Sequence, residues 1–144
     1  MVGFFEGLQD IALFCPGRSL ILQLAEWCQK HRMFALRLVP TRLPYVIQPV
    51  LGAAVFCVVD ATEEPQEAVG LLERGLEQVG RERIGVYSEI MHDGLETLVR
   101  TWGVPFWLGP MRQEEWEAAF SVLEPAAAAE VPRRRIVGQR DQSI

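Results

Sequence analysis

The sequence predicts an α/β domain: a single doubly wound, five-stranded parallel sheet with helices on both faces, most simply in the order 2-1-3-4-5. Three observations carry this. Short apolar runs alternate with segments whose apolar residues recur at i, i+3, i+4 and i+7, as strands and amphipathic helices do. The connections are short and marked by Gly and Pro, which suits βαβ units with right-handed crossovers. Finally, Ala53 to Val59 is unbroken apolar sequence that stops abruptly at Asp60, the mark of a central strand buried on both faces.

In chain order, Phe4 and Phe5 sit in a lead-in over residues 1–10, and Ile11 to Cys15 forms the first strand, closed by Pro16-Gly17. Ser19 is placed to cap the first helix, whose stripe is Ile21, Leu24, Ala25 and Cys28 and whose end lies near His31. Phe34 to Val39 is the second strand, interrupted by Arg37 and so assigned to a sheet edge. Residues 41–51 carry Pro44 and Pro49 and predict a short or distorted second helix. After the central strand, Pro65 opens a third helix with the stripe Ala68, Leu71, Leu72 and Leu76, ended by Gly80.

Arg83 to Glu89 follows as strand four. Asp93 and Glu96 have capping-box spacing ahead of a fourth helix with Leu95, Leu98, Val99 and Trp102 on one face, stopped at Gly103. Val104 to Leu108 is strand five, bounded by Gly109-Pro110, and Gln113 to Leu123 is a fifth helix built on Trp116, Ala119, Phe120 and Leu123. The domain is therefore expected over residues 1–124, with 125–144 an Ala/Pro linker and flexible basic tail bearing Arg133, Arg134 and Arg135.

The bulk composition narrows the function classes. At 144 residues and 49% hydrophobic content the chain holds one core, and a formal net charge of −5 argues against nucleic acid as a partner of that core. Cys15, Cys28 and Cys57 are odd in number, widely spaced and set in apolar segments, which fits a reduced, cytoplasmic protein with no disulfide framework and no metal-type cysteine pair. With Glu6 and Asp10 near the start and no apolar run of membrane-spanning length, neither a signal peptide nor a transmembrane segment is expected. No Gly-x-Gly-x-x-Gly or Gly-Lys-Ser/Thr loop is present, so no nucleotide or other cofactor is expected.

The (βα)5 layout, Asp60 ending strand three, Ser88 ending strand four and Pro110 just after strand five together resemble the receiver domain of bacterial response regulators, across about residues 8–124. That resemblance implies a flavodoxin-like fold. It makes Asp60 the phosphoacceptor-like position and Ser88 the switch-hydroxyl-like position. It also exposes two departures. Receivers place an acidic pair after strand one to hold Mg²⁺, where this chain has Cys15, Pro16 and Gly17; they place a Lys before the Pro after strand five, where it has Gly109. Phosphoryl transfer depends on cations that neutralise the transferring oxygens, so the chain resembles a degenerate, or pseudo-, receiver.

Each candidate residue has a plainer reading beside the functional one. Asp60 is either a residual phosphate or ligand site or a strand-ending residue bonded to loop amides. Trp102, Trp107 and Trp116 either fill the core or form the helix 4–strand 5–helix 5 interaction face that the resemblance implies for a protein partner or a homodimer. The expected function is a non-catalytic signalling or regulatory protein–protein interaction module. The alternatives are a receiver still phosphorylated on Asp60, and a phosphoryl-handling component whose Cys15-Pro16-Gly17-Arg18-Ser19 loop looks like the phosphocysteine loop of sugar-transport IIB proteins.

Overall fold

The computed structural model describes residues 8–40 and 53–123. The lead-in with Phe4 and Phe5, the second predicted helix and the basic tail lie outside the described residues. Five strands form one all-parallel sheet: β1 (Gln9–Phe14), β2 (Phe34–Val39), β3 (Phe56–Asp60), β4 (Ile84–Ser88) and β5 (Phe106–Leu108). Their order is β2-β1-β3-β4-β5, as the sequence predicts, with β2 at an edge. Four helices accompany them among the described residues: α1 (Arg18–Lys30), α2 (Pro65–Leu76), α3 (Leu95–Thr101) and α4 (Gln113–Ala119).

Strand alternation sends successive side chains to opposite faces and so divides the core in two. Ala12, Phe14, Cys57, Val59, Val86 and Phe106 pack with residues of α2 and α3. Ile11, Leu13, Phe56, Val58 and Tyr87 pack with Leu20, Leu24 and Trp27 of α1 and with Trp116 and Phe120. Every residue of β3 and β4 is buried, which is why their sequences lack the polar alternation of a one-sided sheet.

Several element ends differ from the sequence reading, each for a local reason. β3 starts at Phe56 rather than Ala53, and the Ala54 carbonyl just ahead of it accepts a hydrogen bond from the Arg83 guanidinium. The helix expected to run to Gly80 stops at Leu76, because Glu77 and Gln78 bond three residues back, to the Arg74 and Gly75 carbonyls, and tighten the turn. The predicted Asp93–Glu96 capping box does not form: Gly94, at φ 77°, occupies the cap position, and Glu96 instead pairs with Arg100 at 2.8 Å. At α4 the Glu115 carboxylate reaches back to the Arg112 amide at 2.8 Å, and the helix closes at Ala119, short of Leu123, through further three-residue bonds. Nor does Ser19 cap α1; Gly17 holds that position.

Within β4, Gly85 lies beneath the Trp107 ring, and a Cβ there would come within 2.5 Å of it. A rigid indole in a packed layer yields little, so Gly85→Ala is expected to cost about 1–3 kcal/mol by overpacking. Urea unfolding of the variant against wild type measures this, and a loss below a few tenths of a kcal/mol would contradict it.

Candidate functional site

The carboxyl ends of the parallel strands form one rim, where open α/β sheets place their chemistry. Asp60 ends β3 there opposite Tyr87, and Ser88 stands opposite Leu108. Asp60 is buried, at 5% exposure. Its Oδ2 accepts the Gly17 amide at 2.8 Å, and its Oδ1 accepts both the Thr62 amide at 3.0 Å and the Thr62 hydroxyl at 2.7 Å. The carboxylate thus sits at the positive N-terminal end of α1 and satisfies an amide that the helix leaves unpaired.

The network continues through Thr62, whose Oγ1 accepts the Glu89 amide at 3.0 Å. Glu89 turns its carboxylate to the Tyr87 hydroxyl in a short hydrogen bond and to Gln23 Nε2 at 3.3 Å. Gln23 is the hub. Its Nε2 also donates to the Tyr87 oxygen and to Ser19 Oγ, both at 2.9 Å. Its Oε1 accepts the Met111 amide at 2.9 Å and Trp116 Nε1 at 3.0 Å, and its carbonyl accepts Gln113 Nε2 at 3.0 Å. Two N–H donors facing Oε1 fix the amide orientation, since a reversed amide would set donor against donor.

These surroundings set the titration behaviour. Burial raises the Glu89 carboxyl, but hydrogen bonds from Ser19, Tyr87 and Gln23 outweigh it and hold the group below its ordinary value. Burial first, and the bond to Glu89 second, push the Tyr87 phenol well above its ordinary value. Burial also raises the thiols of Cys28 to about 11 and of Cys57 to about 12, the latter opposed by nearby Arg83.

The other candidate residues fall in different places. Ser88 is fully buried, and its hydroxyl closes the turn after β4, donating to the Ile90 carbonyl at 2.6 Å and accepting the Ile90 amide at 3.2 Å. Its bonds do not reach Asp60. Cys15 adopts a left-handed backbone at φ 52°, and its Sγ lies 3.7 Å from the Pro40 carbonyl, while the Gly17 amide that a phosphocysteine loop would use is bound to Asp60.

The three tryptophans do not share a face. Trp102 packs against the α2 and α3 side, whereas Trp107 and Trp116 lie across the sheet with Phe56 and Phe120. Trp116 is fully buried and presents nothing to a partner. The apolar side chains that do reach solvent near the rim are Ile90, Met91 and Leu108, exposed by 52, 55 and 46%.

At Gly109 a Cβ would run into the Tyr87 phenol, so the inward phenol and the glycine require one another. The Gly109–Pro110 peptide is cis. Among the described residues, no group of three or more His, Cys, Asp or Glu side chains converges to hold a metal ion. Gln23, Thr62, Tyr87 and Glu89 were not singled out from sequence. The available signal was parity: Tyr87 and Glu89 stand two apart at a strand end, on the same side as one another, and Gln23 stands four residues after Ser19 on α1.

No protein-family model matches the chain, and no curated protein matches it. Its fold does have solved counterparts. A CheY-like response regulator from Mesorhizobium loti superposes with a TM-score of 0.62 at 14% identity, over 80% of this chain and 98% of its own. The pilus assembly protein CpaE from Caulobacter crescentus gives 0.59 at 14% identity, over 83% and 97%. A response regulator from Burkholderia multivorans gives 0.59 at 12% identity, over 81% and 95%. The chain therefore carries a receiver-like fold.

Two measurements test the electrostatics of the site. A carboxyl whose folded pKa is depressed stabilises the fold above its unfolded value, and that contribution fades as pH falls through the folded value. The stability gap between wild type and Glu89→Gln is thus expected to be full near pH 7 and to shrink as pH falls below the ordinary carboxylate range of about 4.3, as followed by thermal melting. A gap unchanged from pH 7 to pH 3 would contradict the assignment. In native alkylation at pH 8, Cys57 is expected to label last, because its raised pKa leaves about one thiol in ten thousand ionised; mass mapping of the labelled peptides reads the order.

Proposed function

We propose that this receiver-fold chain is a non-catalytic signalling or regulatory interaction module in which Asp60 is a structural cap and not a phosphoacceptor. The observation that supports this best is the occupancy of both Asp60 oxygens by Gly17 and Thr62. Three donors draw on the carboxylate charge, two of them on Oδ1 and one on Oδ2, and so weaken it as a nucleophile. The surroundings agree with the same reading. Cys15, Pro16 and Gly17 offer no hard carboxylate for Mg²⁺, and Gly109, filled against by Tyr87, has no cation to pair with a phosphoryl group.

The partner is a protein or a second copy, bound on the α3–β5–α4 side through Ile90, Met91 and Leu108, since Trp116 is fully buried and Trp102 and Trp107 lie on opposite faces of the sheet. The solved counterparts carry names as different as response regulator and pilus assembly protein, so the fold selects no pathway for this chain. The three free cysteines suit a cytoplasmic setting. Among the described residues no helix is long and apolar enough to cross a membrane.

Incubation with Mg²⁺ and acetyl phosphate, followed by intact mass, is expected to leave the protein unmodified. A stoichiometric phosphoryl adduct that disappears in Asp60→Asn would overturn the capping role. Self-association by light scattering, or partner retention in a pull-down, is expected to weaken in the Met91→Asp/Leu108→Asp double variant. If the intact protein neither self-associates nor retains a protein, the module reading fails.

A further inference from the structure

The polar network raises a question that Asp60 alone does not answer, namely what holds the rim of the sheet together if no phosphoryl group or metal ever arrives. Three loops meet there: the one entering α1, the one following β3, and the one following β4. Each contributes a donor. Gly17 supplies an amide, Thr62 an amide and a hydroxyl, and Glu89 an amide. Gln23 of α1 adds a further donor, and Tyr87 adds a phenol. Such a convergence of donors is what an anion requires. Two carboxylates of the chain itself, Asp60 and Glu89, and the Thr62 hydroxyl take these donors up.

Building on the reading of the site given above, we propose that Glu89 is an intramolecular ligand: its carboxylate takes up donors at the carboxyl ends of the strands and locks the loops around it without any external anion. The geometry supports a lock and not a surface decoration. Glu89 belongs to the loop after β4, yet its carboxylate bonds α1 through Gln23, while its own amide bonds Thr62 of the loop after β3. One residue therefore ties three elements at two ends. Thr62 passes the connection to Asp60, and Asp60 passes it to Gly17. His92 closes the outer side through the Thr62 carbonyl at 3.0 Å.

The consequence for the exposed patch is direct. Ile90 and Met91 follow Glu89 immediately, and the Ser88 hydroxyl fixes the turn that presents them. A loop anchored by its own carboxylate holds that patch in one arrangement continuously. Gln23 beside the carboxylate has both ends of its amide engaged, so Glu89 cannot shift without breaking its bonds to Gln23 and Tyr87.

Hydrogen exchange on the full chain, with no phosphodonor present, tests the lock. In Glu89→Ala the amides of residues 17–20, 61–64 and 89–94 are expected to exchange at least tenfold faster, with the interior of β3 unchanged. Tyr87→Phe, which keeps the ring and removes the hydroxyl, is expected to accelerate the same three segments by a smaller factor. Glu114→Ala, a surface control, should leave them alone. If Glu89→Ala unfolds globally, Tyr87→Phe and Glu89→Gln read the same amides. Acceleration confined to residues 89–94, or none, would overturn the proposal, because a purely local role leaves Gly17 and Thr62 protected. The readout does not involve phosphorylation, so an adduct on Asp60 in the mass experiment would remove the capping role while leaving this result to stand or fall separately.

Discussion

A carboxylate buried at the edge of a sheet imposes conditions on everything near it. Removing Asp60 from water costs several kcal/mol unless hydrogen-bond donors replace the lost hydration. Three do, and they come from two different loops. The register of the chain entering α1 and the turn leaving β3 are therefore tied to one charged group, and α1 starts where it does because its cap amide meets an acceptor from another strand. In a capping box the amide of the N-cap residue is taken by a Glu or Gln at the third helical position. Here that position is Leu20, which offers no acceptor, and Asp60 supplies one from another strand.

A second constraint runs through Tyr87 and Gly109. The phenol points into the pocket, where its hydroxyl serves Glu89 and Gln23, and the space it takes is the space a side chain at 109 would need. The tyrosine and the missing side chain are one arrangement seen from two strands. A lysine at 109 would displace the phenol and with it an acceptor of Gln23. Interior packing leaves no room for both designs at once.

The fold was legible because periodicity and punctuation agree along the chain. The apolar run before Asp60, the stripes of α1 and α2 and the Gly/Pro boundaries all describe short-range physics that tertiary contacts reinforce. Helix ends were less legible, since Asp93 and Glu96 fit a capping box on paper but Arg100 competes for Glu96 and Gly94 takes the turn. The site was legible only in outline. Asp60 could be placed at a strand end from sequence, but not the identity of its donors, because Gly17 and Thr62 reach it through the fold. Trp102 and Trp116 looked like neighbours for the same reason that they are not: helices α3 and α4 lie on opposite faces of the sheet, and sequence proximity carries no information about which face a crossover takes.

That division of the tryptophans has an optical side. Trp27, Trp107 and Trp116 all belong to the layer between the sheet and helices α1 and α4, and only Trp102 lies on the other face. Indole emission from this protein is therefore a one-sided signal. It follows the α1–α4 layer through three indoles, two of them in ring contact, and records the α2–α3 layer through a single half-buried one. An event that loosens the second layer alone would leave most of the emission undisturbed, so fluorescence and backbone circular dichroism would trace different parts of the same molecule.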